Sequence, residues 1–188
     1  MNPFPRVPGL RFLHSPGPSH VPIEVSHAIG RQPIDMADPR LDAVIASCEQ
    51  SMRTLLGTQA ADVFIYAANG HGAWEAVIVN LVGPGQSVLV PGTGHFSDGW
   101  AEQSQAMGAK VIGTPWVQGE PIDAAVVEQV LREDKEHDIV AVFAVHTDTA
   151  SSVTSDIAGL RKAIDAASHP ALLVVDASQG VEAQTVAN

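Results

Sequence analysis

Basic residues and cysteine are scarce in this sequence of 188 residues, and each scarcity excludes a class of protein. Ten lysines and arginines stand against 21 acidic residues, giving a formal net charge of −11. Binding to nucleic acids or to anionic membranes needs clustered positive charge, so we expect neither partner. The single cysteine, Cys48, cannot form an internal disulfide. No secretion signal or long apolar run is visible, so we expect a cytoplasmic protein.

What is present fits a folded α/β protein. Hydrophobic residues make up 45% of the chain, which is enough to build a core. Residues 1–27 are rich in proline and lack periodicity, so we expect an extended N-terminal arm there and a domain over residues 28–188. Asp38 and Pro39 supply a helix cap and a first-turn proline. Apolar residues then recur at helical spacing as far as Gly57, which predicts a core helix.

After that helix, short β-branched runs alternate with amphipathic segments, a pattern typical of a parallel sheet covered by helices. The sequence predicts strands at residues 63–67, 87–90, 110–114, 139–145 and 171–175. It predicts helices at residues 72–81, 97–107, 124–133 and 156–167, the last with Ser155-Asp156 as a capping pair. Ligands of such sheets bind outside the carboxyl ends of the strands, so the loops that follow the strands are the candidate sites.

The loop after the first predicted strand contains Asn69, Gly70, His71 and Gly72 before a helix. Backbone N–H groups at a helix N-terminus suit a phosphate, although an ordinary tight turn explains the glycines equally well. In the next loop Phe96 stands at a helix start, where an aromatic ring can stack on a planar cofactor or simply join the core.

The two remaining loops carry carboxylates. His146-Thr147-Asp148-Thr149 gathers polar groups directly after an apolar strand, and part of this polarity is explained by helix capping. Asp176 follows the apolar run Leu172-Leu173-Val174-Val175 and needs a partner if it is buried. A protonated pyridine nitrogen is one such partner, and a helix or turn cap is the commoner alternative.

A metal site has weaker support. His71 and Glu75 lie one helical turn apart, but no third ligand follows at a recognisable spacing, so we expect no metal.

Five segments, in order along the chain, resemble motifs of the class V aminotransferases, which depend on pyridoxal 5′-phosphate (PLP). The resemblance is strongest to serine–glyoxylate and alanine–glyoxylate aminotransferases. It rests on Ser15-Pro16-Gly17-Pro18-Ser19, Asn69-Gly70-His71-Gly72-Ala73-Trp74-Glu75-Ala76, Thr93-Gly94-His95-Phe96, His146-Thr147-Asp148-Thr149 and the strand that ends at Asp176. It implies an α/β fold, the large domain of type I PLP-dependent transferases, incomplete in residues 28–188. It also implies a homodimer in the full-length form.

The resemblance implies roles for the matched residues around the cofactor. Asn69, Gly70 and His71 are expected to hold its phosphate, Phe96 to stack on its ring, and Thr149 to hydrogen-bond near the ring oxygen.

At the other end of the cofactor, Asp176 is expected to pair with the ring nitrogen, and Gly17 to lie near the substrate carboxylate. The run Asp176-Ala177-Ser178-Gln179 departs from the glyoxylate enzymes and is similar to the Asp-x-x-Gln of cysteine desulfurases, which makes Ser178 and Gln179 further cofactor contacts. Ser152 replaces a usual glycine, so its turn is expected to differ if that position needs positive φ.

Family members also carry a lysine, after the aspartate, that forms a Schiff base with the cofactor. The only lysines in this chain are Lys110, Lys135 and Lys162, predicted in a strand or in helices, and none follows Asp176. We therefore expect this chain to be part of an aminotransferase that moves an amino group from serine or alanine to glyoxylate, and to be inactive alone. The alternatives are a truncated, non-catalytic remnant and a desulfurase-like PLP lyase.

Overall fold

A computed structural model describes Leu13 and residues 15–179. The chain divides into two compact units, Met1–Ser47 and Cys48–Asn188. The described part contains no helix that is both long and apolar enough to cross a membrane.

The prediction of an extended arm over residues 1–27 is wrong at its end, where a short helix, α1, spans Ile23–Ile29. Pro22 precedes the helix, and Glu24 lies in its first turn, where a negative charge suits the helix dipole. The earlier part of the predicted arm, residues 1–12 and 14, lies outside the described residues.

Helix α2 (Pro39–Leu55) begins and ends at the residues that the sequence indicates. The Asp38 carboxylate accepts a hydrogen bond of 2.9 Å from the Arg40 N–H, as an N-cap does. After the last turn, Gly57 adopts φ +63° and the Thr58 N–H donates to the Arg53 carbonyl at 3.0 Å. This is a C-terminal turn that favours glycine, which explains why the helix stops here.

The prediction that α2 is a core helix is wrong. None of its residues is buried, Val44 is 56% exposed, and Cys48 is exposed. Helical spacing predicts an apolar stripe correctly, but burial of that stripe needs a second element packed on it, which spacing does not supply.

The second unit holds the sheet. Its helices are α3 (Gly70–Leu81), α4 (His95–Ala106), α5 (Ala124–Glu133) and α6 (Ile157–Ala166). Its strands are β1 (Ser87–Val90), β2 (Lys110–Gly113), β3 (Ile139–Val145), β4 (Thr147–Asp148), β5 (Val153–Thr154) and β6 (Leu172–Asp176). Four strands form a parallel sheet in the order β2-β1-β3-β6, and β4 pairs with β5 in an antiparallel hairpin. The predicted α/β fold is confirmed.

Side chains alternate between the two faces of the sheet, and each face has its own core. Leu89 and Val142 pack with α5 and α6 on one face, whereas Val88 and Phe143 pack with α3 and α4 on the other. Helix α6 is held at its start by Asp156, whose carboxylate accepts from the Gly159 N–H at 2.9 Å, as predicted. The Ser155 hydroxyl does not share in the cap and instead accepts from the Ile122 N–H at 3.2 Å.

The predicted strand at residues 63–67 is wrong. The segment forms no ladder in the described structure, and Phe64 and Tyr66 are 76% and 58% exposed. β-branched and aromatic residues make a segment suited to a strand, but a strand also needs a neighbour to exchange hydrogen bonds with it.

Candidate functional site

An open cleft of about 180 Å³ lies at the carboxyl end of the sheet, where parallel sheets bind ligands. It brings together seven of the eight predicted cofactor contacts, all except Asn69. Its lining residues are Gly70, His71, Trp74, Phe96, Val145, Thr147, Thr149, Asp176, Ser178 and Gln179.

Two predicted site residues are not among the residues that line the cleft. Asn69 is the N-cap of α3, and its side-chain oxygen accepts from the Gly72 N–H at 3.2 Å. Gly17 belongs to the first unit, where its N–H donates to the Ser15 hydroxyl at 3.3 Å.

The N-terminus of α3 forms one end of the cleft. Gly70 and His71 occupy its first turn, where N–H groups precede the helical hydrogen-bond ladder and point outward. A Cβ at Gly72 would come 2.5 Å from the Ala68 Cβ, so this tight entry into the helix requires glycine. The donors and the helix dipole together suit an anion such as a phosphate.

The loop after β1 presents Phe96 to the cleft from the start of α4. The Ser97 hydroxyl accepts from the Thr93 and Gly94 N–H groups at 2.9 and 3.1 Å and donates to the Gly94 carbonyl at 2.8 Å. The Phe96 N–H donates to the Asp148 carboxylate at 2.9 Å. These bonds fix the loop backbone, and the Phe96 ring both packs against the core on the α3–α4 face and lines the cleft.

Asp148, in the β4–β5 hairpin, is fully buried beneath that loop. Its second carboxylate oxygen accepts from the Ala150 N–H at 3.0 Å, so one side chain ties the hairpin to the Phe96 loop. A Cβ on Gly94 would lie 2.9 Å from this carboxylate. Ser152 adopts φ +59°, the left-handed conformation that a serine occupies less readily than a glycine.

Asp176 closes the other end of the cleft as the last residue of β6. The Ser178 N–H and hydroxyl donate to its Oδ1 at 3.0 and 2.6 Å, and the Trp74 indole N–H donates to its Oδ2 at 3.0 Å. These partners are neutral donors within the chain, and the Ser178 N–H bond is the turn cap that the sequence offered as the commoner alternative.

The sequence-based predictions give no role to two residues that hydrogen-bond the site. Trp74 stands inside the phosphate motif and bonds Asp176, and Asp148 stands inside the polar third loop and bonds Phe96. A tryptophan one helical turn beyond Gly70 was the available signal for the first. Its bond to Asp176 joins residues 102 positions apart, which no local pattern shows.

The donor set fits the cofactor that the resemblance implies. The cleft offers N–H groups for a phosphate, an aromatic face for a ring, and a carboxylate for a protonated ring nitrogen. Within residues 15–179, no lysine lines it: Lys110 begins β2, Lys162 lies in α6, and Lys135 follows α5 and is therefore not helical as predicted. In the same residues no group of three or more His, Cys, Asp or Glu side chains is placed to hold a metal ion.

The fold matches the PLP-dependent transferase fold over about half the length of solved chains. The model of the family "Aminotransferase class-V" matches residues 11–187, and the chain belongs to this family.

Its relatives are longer than this chain. It is 40% identical over 163 residues to an L-aspartate–glyoxylate aminotransferase of Paracoccus denitrificans, covering 86% of this chain and 41% of the relative. It is 36% identical over 171 residues to a serine–glyoxylate aminotransferase of Methylorubrum extorquens, covering 91% and 42%. A solved alanine–glyoxylate aminotransferase from Nostoc sp. superposes with a TM-score of 0.80 at 24% identity, over 96% of this chain and 47% of that one. The chain thus spans less than half the length of these relatives.

Proposed function

We propose that this chain forms the cofactor-binding part of a PLP-dependent aminotransferase that transfers an amino group to glyoxylate. The observation that carries the proposal is the cleft, where the α3 N-terminus, the Phe96 ring and the Asp176 carboxylate meet. Family membership supports the cofactor, because class V aminotransferases use PLP.

Each end of the cleft has a separate task in this proposal. The N–H groups of Gly70 and His71 bind the phosphate, and the capping bond of Asn69 keeps that turn rigid. Phe96 covers one face of the ring. When bound, PLP supplies an electron-withdrawing ring that stabilises negative charge on the substrate carbon bearing the amino group.

Asp176 keeps a proton on the ring nitrogen, because an ionised carboxylate at hydrogen-bond distance favours the charged form of its partner. Thr149 and Gln179 line the cleft, and we expect them to hydrogen-bond the ring oxygen of the cofactor. Proton transfer at the substrate carbon needs a base. We assign that step to no residue among 15–179, since no lysine lines the cleft there, and we expect the isolated chain not to turn over.

Glyoxylate is the acceptor that the relatives' names share, whereas the amino donors they name are aspartate, serine and alanine. We therefore propose glyoxylate as the 2-oxo acid substrate and a small amino acid as the donor, serine or alanine first and aspartate as a third choice. A homodimer and a cytoplasmic location belong to the same proposal for the full-length protein.

The test is reduction with borohydride after addition of PLP, followed by peptide mass mapping. We expect a PLP absorption change that is reversed by dialysis, with no cofactor fixed to Lys110, Lys135 or Lys162. The Asp176→Ala variant should bind PLP more weakly, and Asp165→Ala, which removes an exposed carboxylate from α6, should not. A cofactor fixed to one of the three lysines, or equal binding by both variants, would contradict the proposal.

One observation favours the lyase alternative, namely that Gln179 lines the cleft three residues after Asp176. The two activities are separated in a full-length protein containing this chain. Glycine formed from glyoxylate with serine, alanine or aspartate indicates an aminotransferase, and sulfide released from cysteine indicates a lyase. Asp176→Ala should abolish either activity. If neither product forms in that protein, the non-catalytic alternative is favoured.

A further inference from the structure

The Asp176 carboxylate accepts hydrogen bonds from three donors within the chain. Two come from Ser178 and fill Oδ1, and the third comes from the Trp74 indole and reaches Oδ2 at 3.0 Å. A carboxylate has about four acceptor positions, two on each oxygen. The position left open therefore lies on Oδ2, the oxygen that Trp74 holds.

Trp74 is itself fixed by an aromatic stack. Only 5% of it is exposed, and its ring lies parallel to Trp100 at 5.3 Å with an interplanar angle of 6°. Trp100 in turn stacks on Phe143 of β3 at 4.7 Å and 11°. A buried ring clamped in this way has few rotamers, so the direction of its N–H group is set by the core.

The same indole touches the other parts of the cleft. The His71 ring lies 4.7 Å from it in a tilted arrangement, and Phe96 meets it edge-on at 6.5 Å. Trp74 thus contacts the phosphate end, the ring-stacking residue and the carboxylate.

Trp100 differs from Trp74 in the hydrogen bonding of its indole N–H. It is 1% exposed and belongs to the same stack, but its Nε1 has no hydrogen-bond partner in the described part of the chain. Of these two neighbouring buried indoles, only Trp74 directs its N–H to a group in the cleft.

We propose that Trp74 is a positioning residue. Its N–H orients the Asp176 carboxylate so that the remaining acceptor position of Oδ2 serves the protonated ring nitrogen of the ligand. This inference rests on the proposed function, and it adds a residue that acts on the cofactor through Asp176.

The test measures binding of pyridoxamine 5′-phosphate, which has no aldehyde and so needs no lysine. Trp74→Phe keeps an aromatic ring and removes the N–H, and we expect about tenfold weaker binding, as for loss of one hydrogen bond to a charged group. Trp100→Phe makes the same change one ring deeper, and we expect affinity within about twofold of the parent. In an Asp176→Ala background, Trp74→Phe should cause no further loss, because the partner of the N–H is already gone.

Equal losses for the two phenylalanine variants, or an undiminished effect of Trp74→Phe in the Asp176→Ala background, would overturn the inference and leave the proposed function standing. Failure of the parent chain to bind the probe would overturn both.

A second measurement covers the case in which Trp74→Phe does not fold. The chain has three tryptophans, so its indole N–H signals in a ¹H–¹⁵N spectrum are few. Spectra of Trp100→Phe and Trp116→Phe identify the remaining signal as Trp74. Asp176→Ala should shift that signal and leave the Trp116 signal in place, and an unmoved Trp74 signal would contradict the positioning role.

Discussion

Replacement of Asp148 by alanine should destabilise the chain more than any loss of a surface cap. The carboxylate is fully buried and accepts from the Phe96 and Ala150 N–H groups at 2.9 and 3.0 Å. Each hydrogen bond to a charged group contributes about 1.5–3 kcal/mol, and its loss leaves the donor without a partner. The variant also avoids the free-energy cost of burying a charged carboxylate, which offsets part of the lost hydrogen-bond energy. The expected loss is about 3 kcal/mol.

A matched control comes from Asp123, an exposed N-cap whose carboxylate accepts from the Ala125 N–H at 2.9 Å. Asp123→Ala should cost about 1 kcal/mol, which is typical of a cap. The two variants remove the same chemical group from backbone donors. The difference between their losses of unfolding free energy therefore measures the contribution of burial and of the bridge between the two loops.

The assay is urea unfolding followed by circular dichroism, with the midpoint and slope fitted for each variant. Asp148→Ala should also weaken pyridoxamine 5′-phosphate binding, because the Phe96 loop loses one of its ties to the β4–β5 hairpin, although the Ser151 hydroxyl still donates to the Thr93 carbonyl at 3.0 Å. An unfolding free energy within about 1 kcal/mol of the parent, or a loss no larger than that of Asp123→Ala, would refute the bridging role.

Two further predictions concern backbone strain and pH. Ser152 pays the cost of a left-handed conformation, so Ser152→Gly should raise the unfolding free energy by about 1 kcal/mol in the same assay, and a decrease would contradict this. Partial burial raises the pKa of the Asp134 carboxyl, but the Ile139 N–H, at 2.8 Å, and further donors outweigh it, so the pKa lies below its ordinary 3.8. The stability that Asp134 contributes is therefore present above pH 3.8 and is lost as pH falls through the lower folded-state pKa. Unfolding free energies measured from pH 7 downward should show the parent more stable than Asp134→Asn at neutral pH, with the difference in free energy vanishing in acid. A difference that stays constant with pH would contradict this.

The elements of the sheet could be predicted because their signals are local. The apolar run at β3 and the amphipathic period of α5 place both elements at the predicted residues, 139–145 and 124–133. Asp156 marks the start of α6 because a capping carboxylate acts on the next few residues of its own chain.

What could not be predicted depends on a second segment. Residues 63–67 have the composition of a strand, and α2 has the period of a buried helix. Strand pairing and burial of a helix face, however, depend on a neighbouring element that these segments do not encode. The same reason explains which parts of the site could be predicted. Gly70 and Asp176 could be found from their own loops, whereas the bond between Trp74 and Asp176 depends on how α3 packs beside β6.

A structure of the chain crystallised with pyridoxamine 5′-phosphate tests the central claim most directly. The claim predicts the phosphate at the N–H groups of Gly70 and His71, the ring beside Phe96, and the ring nitrogen within hydrogen-bond distance of Asp176 Oδ2. A ligand bound away from this cleft, or bound in it with the ring nitrogen turned from Asp176, would contradict the account.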